Sequence, residues 1–261
     1  MTEYGQDARL TYSEYLHVPQ ILREQVCLSE PPAHDELQFI VVHQVYELWF
    51  KLVLFELDEV RRRIDAGSDL DLRTAARLCR RVETIFKVLV QQIHVLETMR
   101  PVDFLAFRTR LKPASGFQSV QYRELEFLSG LKDETFLARF RSISAAQRAR
   151  LERRLSEPSL WDAFVGLLAS RGLPAGTDEQ ILDSLRVVAG DRAAHDEEWQ
   201  LAEDLLTHDE LAALWRARHV VMVERQIGTK SGTGGSTGAP YLRKRIPLRY
   251  FPLLWELRDH L

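Results

Sequence analysis

The sequence predicts an all-α protein, a helical bundle forming one domain over residues 1–261. Three observations carry that prediction. No segment shows the two-residue alternation of a half-buried strand bounded by turn residues. The stretch DELQFIVVHQVYELWFKLVLFELDEVRRR, Asp35 to Arg63, runs without glycine or proline. Through its middle, apolar residues cover nearly every face, as in a helix surrounded by others rather than lying on a surface.

The elements follow in chain order. The opening MTEYGQDARLTY is polar and acidic, so it has no signal-peptide character. The acidic residues of HDE at 34–36 suit the positive end of the first long helix, Asp35 to Arg63. A second helix is predicted from Leu70 to Thr98, stopped by Pro101. A third covers Gln121 to Phe140 with a break at Gly130, and a fourth Ala145 to Leu155. SRGLPAGTDEQ, Ser170 to Gln180, is the best loop. HDEE at 195–198 again supplies charge for a helix start. In THDE, Thr207 is expected to cap a new helix with Glu210 reaching back, and Gly228 to end it. The tail IPLRYFPLLWEL is apolar and should pack on the body, whereas LRKRIPLR, Leu242 to Arg249, reads as solvated surface or a subunit contact.

Composition narrows the function. The chain has 261 residues, 45% hydrophobic and 28% charged, values of a globular protein. A net charge of −3 argues against a nucleic-acid partner. Two distant cysteines, Cys27 and Cys79, make neither a disulfide framework nor a zinc site. No uninterrupted apolar run approaches the ~20 residues of a membrane span, so no membrane is expected and the cytoplasm is the default compartment.

SGTGGSTG, Ser231 to Gly238, packs four glycines into eight residues and has the look of a phosphate cradle. It lacks the Lys-Ser/Thr pair of a P-loop. As a dinucleotide fingerprint starting at Gly232, its third glycine would fall on Thr237, and a helix precedes it where a strand is required. Two readings remain: a flexible surface connector, or a loop whose glycines let the backbone approach a ligand while Thr233, Ser236 and Thr237 offer hydroxyls.

Among the eight histidines, two lie inside strongly apolar helices. His219 follows Trp215 by four and precedes Met222 and Val223 by three and four, which sets it on the buried stripe. His43 follows Phe39 by four and precedes Tyr46 and Glu47. A buried imidazole needs a partner; a lone one is more often a hydrogen-bonded core residue, and two such helices raise the case for a shared ligand. A carboxylate-bridged di-iron site would need two Glu-x-x-His units, and the chain offers one, Glu14 to His17. Haem needs one axial imidazole and an apolar pocket.

The blocks LTYSEYL (10–16), HDELQFIVVHQVYELWFK (34–51), VLETMRPVDFLAFR (95–108), ASGFQSVQYRELEF (114–127), LWRARHVVMVERQIGTKSGTGGSTG (214–238) and FPLLWELR together resemble the tryptophan 2,3-dioxygenase family, in order across nearly the whole chain. The resemblance implies haem b, one per subunit, buried between helices, with His219 as proximal iron ligand. It implies His43 near bound O2 and the indole nitrogen, Phe39 as the wall of the indole slot, and Arg108 as the clamp on the substrate carboxylate. It further implies Thr233 at the amino-acid end of the substrate, and Ser115 and Gly116 beside the haem. Residues 1–30 would contact a neighbouring subunit, with Tyr12, Tyr15 and Leu16 reaching its active site in a homotetramer, a dimer of dimers.

The implied reaction inserts O2 across the indole C2–C3 bond of L-tryptophan, giving N-formylkynurenine for the kynurenine pathway or secondary metabolism. An oxygenase or monooxygenase acting on a substituted indole or aromatic amino acid, and a non-catalytic haem sensor, are the alternatives. Several family members read QWSVLET where this chain has QIHVLET; should Ile93 line the haem cavity, its smaller side chain enlarges or repolarises the pocket.

Overall fold

A computed structural model describes residues 10–139 and 143–261. It is helical, with no strand among the described residues. Two short turns of helix, α1 (Tyr12–Tyr15) and α2 (Val18–Ile21), precede the long α3 (His34–Ala66) and α4 (Asp69–Glu97). Then come α5 (Pro101–Arg108), α6 (Val120–Ser129), α7 (Thr135–Arg139), α8 (Ala145–Ser156), α9 (Leu160–Ser170), α10 (Asp178–Gly190) and the longest, α11 (Arg192–Ile227). Two short helices, α12 (Ala239–Arg243) and α13 (Pro252–Glu256), close the chain.

Local chemistry sets these bounds. Gly67, at φ +70°, ends α3 in a left-handed conformation that only glycine adopts without strain, and Ser68 caps α4 by accepting from the Asp71 amide at 3.2 Å. Pro101 does end the second helix, and it also starts another: lacking an N–H, it suits the first position of α5, where no partner is required. Gly130 terminates α6 at φ +120°, so the predicted third helix ends there and α7 is separate.

The expected cap at Thr207 is corrected. Thr207 lies in mid-helix and its hydroxyl donates to the Glu203 carbonyl at 2.9 Å, one turn back. The helix begins instead at Asp191, whose side chain accepts from the Ala194 amide. HDEE therefore falls in the opening turns, at a kink on His195. Gly228 ends the helix as expected.

α4 packs along both α3 and α11, whose backbones stay apart while Tyr46 and Phe50 of α3 meet the Trp215 indole of α11 edge-on at 6.0 and 6.2 Å. Side chains fill the space between them, among them the fully buried Val53, Val82, Phe86 and Leu89. The tail does pack on the body: the Asp209 carboxylate takes the amides of Tyr250 and Phe251 and the indole N–H of Trp255, at 2.8, 3.2 and 2.9 Å. The central part of α3 reaches the length and hydropathy of a membrane span, yet it carries Glu47 and Lys51 and packs on α4, α6 and α9. Its outer face keeps Leu37, Val41, Leu48 and Phe55 exposed at helical spacing.

Candidate functional site

Where α3 and α11 part, they enclose a cavity of about 580 Å³. Its walls bring together Phe39 and His43 from α3, Arg108 from α5, Ser115 and Gly116 from the turn before α6, His219 from α11, and Thr233 from the glycine loop. Seven residues singled out in the sequence thus meet from five segments. Tyr12, Tyr15 and Leu16 do not: they stand exposed on the N-terminal arm, outside this cavity. Glu14 and His17 are exposed there too, and no cluster of metal-ligating side chains occurs among the described residues, so the di-iron alternative has no site there.

His219 lies deep in the fold but keeps accessible surface because it faces the cavity. The indole of Trp215, one turn earlier, stacks on it at 5.3 Å with the planes 7° apart. Burial pushes its pKa down to about 4, with the charge of His43 adding to the effect. The ring is therefore neutral at pH 7, with a lone pair to offer. His43 is likewise held below the usual range, by burial first, against a hydrogen bond between its Nδ1 and the Phe39 carbonyl at 2.7 Å. A carbonyl only accepts, so Nδ1 carries the proton and the neutral ring keeps its lone pair on Nε2.

Aromatic rings build one wall. Phe39 packs on His43 at 4.0 Å, on Phe104 at 5.6 Å and on Phe107 at 5.8 Å. Ile93 does line the cavity, almost wholly buried. His94 turns to the surface, where its Nδ1 meets Glu97 at 3.0 Å, and it does not reach the site.

The glycine loop is seated, not loose. The Thr233 hydroxyl donates to the Ala114 carbonyl at 2.6 Å, and the Gly232 amide donates to Ser236 O at 2.9 Å. Arg108 is buried and donates through Nη2 to the Ser231 carbonyl, tying α5 to the loop. At Gly234 a Cβ would come within 2.7 Å of the Ser115 Cβ, so this close approach requires glycine. Ser115 in turn caps its 3-10 turn, accepting from the Phe117 amide at 3.3 Å.

The cavity also holds charge that the sequence reading missed. Arg123 and Arg216 are buried and line it, as does Arg245. Arg245 belongs to LRKRIPLR, expected to be solvated or at a subunit contact; it points inward because Glu126, itself buried, accepts from it at 3.0 and 3.1 Å. Nothing local in the sequence marks an arginine that folds under its neighbours.

The sequence model for tryptophan 2,3-dioxygenase matches residues 2–169 and 185–261. A protein of Nocardioides sp. named tryptophan 2,3-dioxygenase is 59% identical over 257 residues, covering 98% of this chain and 96% of the relative. One of the same name from Herpetosiphon aurantiacus is 43% identical over 262 residues, 97% of this chain and 98% of its own. Another, from Myxococcus xanthus, is 40% identical over 266 residues, covering 97% and 90%.

Proposed function

From the chain's membership of the tryptophan 2,3-dioxygenase family, we propose that it adds both atoms of dioxygen across the indole C2–C3 bond of L-tryptophan, opening the ring to N-formylkynurenine. The observation that carries this reading is the meeting of His43, His219, Arg108 and Thr233 around one cavity.

A haem b group fits the residues present. A neutral, cavity-facing imidazole at His219 suits iron, α3 brings a second neutral imidazole, His43, to the same cavity, and the volume lies in the range of cofactor sites. When bound, the haem iron supplies the activation of dioxygen; the chain's part is to bind, orient and keep out water. Ser115 and Gly116 would flank the group.

His43 receives the indole N–H on Nε2, because its other nitrogen already donates to Phe39 O. Phe39 and Phe104 offer flat apolar surface to the indole, whose burial excludes water from the reacting bond. Arg108 commits one N–H to Ser231 O and keeps others for the substrate carboxylate. Thr233 has given its proton to Ala114 O, so its oxygen can only accept, and it suits the substrate ammonium. The glycine loop, Ser231 to Gly238, would close over a zwitterion, not a phosphate.

The exposed apolar stripe on α3 and the outward Tyr12, Tyr15 and Leu16 support assembly with further copies of the chain, as a homotetramer whose arm completes a neighbour's site. The test of function is to supply L-tryptophan and isotopically labelled dioxygen to the ferrous haem protein. Two labelled oxygens in the product support the reading. One labelled oxygen would mean a monooxygenase, and none a ligand-binding haem protein.

A further inference from the structure

Besides the clamp formed by Arg108 and Thr233, the buried guanidiniums of Arg123 and Arg216 and the mostly buried one of Arg245 gather on the cavity with few acceptors. Arg123 and Arg245 share the single carboxylate of Glu126. Arg216 donates through Nη2 to the Leu248 carbonyl at 2.5 Å and lies over the Tyr250 ring, 5.2 Å from its centroid. Arg123 Nε, Arg245 Nε, and Arg216 Nε and Nη1 are buried with no partner, as are the hydroxyls of Tyr122 and Tyr241 on the same cavity. All three arginines act electrostatically on Tyr122, so the groups form one cluster. The nearby Asp209 spends one oxygen on the tail amides and indole. Three cations thus face two carboxylates, and donors are left over.

Buried, unmatched donors and charge are costly unless something answers them. An apolar indole does not, and the zwitterion already has its own clamp. We propose that Arg216 and Arg245, with Arg123 and the Tyr122 and Tyr241 hydroxyls, seat a carboxylate side chain of the porphyrin, fixing the rotation of the ring about its iron–imidazole bond. This rests on the haem reading above. The match is chemical: a propionate brings one negative charge and two acceptor oxygens to an enclosed surplus of cation and N–H. Salt bridges to Glu126 hold Arg245 and Arg123 ready without consuming their remaining hydrogens.

The test is binding, followed by absorption as apoprotein is titrated with haemin and with haemin dimethyl ester, whose two carboxylates are masked. Wild type should bind haemin at least tenfold more tightly than the ester. Arg245→Met should lower haemin affinity about tenfold and leave ester affinity unchanged, and Arg245→Lys should restore part of the difference. Because Arg216 lies inside the fold, Arg216→Lys serves beside it and should weaken haemin selectively. Equal affinity of wild type for both ligands overturns the proposal. So does an Arg245→Met variant that loses both ligands equally, since that is the mark of a merely structural arginine. Failure of wild type to bind haemin in a His219-dependent way would instead overturn the haem reading itself.

Discussion

The seating of the glycine loop makes Gly238→Ala the most informative single change. Gly238 sits at φ +72° and ψ −133°, a region that only glycine occupies readily, and an added Cβ would stand 2.4 Å from the Lys230 carbonyl oxygen. That contact is with backbone and cannot be relieved by turning a side chain. The strained conformation alone costs about 1–3 kcal/mol, and the clash adds to it. Against this stand a few hydrogen bonds holding the loop shut: Gly232 to Ser236, Thr233 to Ala114 and Arg108 to Ser231. At about 1 kcal/mol each, they are outweighed, so the loop opens while α3, α4 and α11 keep their packing.

Closing the loop again must then come out of substrate binding. A deficit of about 3 kcal/mol corresponds to a loss of about a hundredfold in kcat/KM for L-tryptophan. The melting temperature should fall by only a few degrees. Gly172→Ala is the control: at φ +79° with no atom within 4 Å of the new Cβ, it should cost about 1–2 kcal/mol of stability and leave kinetics alone. Steady-state kinetics and thermal melts on both variants decide the matter. A Gly238→Ala enzyme within twofold of wild type in kcat/KM would refute the reasoning, because it would mean the seated loop is not the binding-competent one.

Three further outcomes are expected. Arg108→Ala should lower kcat/KM for L-tryptophan by about tenfold to a hundredfold, the worth of a hydrogen bond to a charged group, while tryptamine, which lacks the carboxylate, should be used equally poorly by both enzymes. Asp204 is buried, with Oδ1 accepting from Gln200 at 2.9 Å and Oδ2 unpartnered, and burial raises its pKa to about 6; Asp204→Asn should therefore stabilise the fold by about 2 kcal/mol at pH 7. That gain should shrink as pH falls from about 6 to about 4, where the folded and then the unfolded carboxylate take up protons, and urea unfolding across that range measures it. His208, bonded to Ser129 at 3.0 Å, is pushed down to about 3 by burial, then by Arg216. Below pH ~6.5 its unfolded form binds a proton that the folded form refuses, so stability should drop by up to about 1.4 kcal/mol per pH unit, a slope that His208→Asn should reduce.

What could be read in advance, and what could not, divides by the range of the cause. The bounds of α3 and α4 follow from the apolar pattern and the residues beside them, and the break at Gly130 from one glycine; these are local causes and the sequence displays them. Thr207 shows the limit of such reading. A capping motif is indistinguishable from Thr and Glu inside a helix until the preceding turn is known to continue, and here α11 runs straight through it. The histidines were legible because helical spacing placed them among apolar neighbours, and Arg108, Ser115 and Thr233 because their blocks resemble those of a known family. The inward arginines were not. Arg245 in LRKRIPLR has every local mark of a solvated residue, and only the carboxylate of Glu126, more than a hundred positions earlier, turns it inside. A charged residue is buried by a partner that the fold delivers, so its direction is a property of the packed chain. For that reason the least legible part of this molecule, the cluster of Arg123, Arg216 and Arg245, is also where the structure adds most to what the sequence displays.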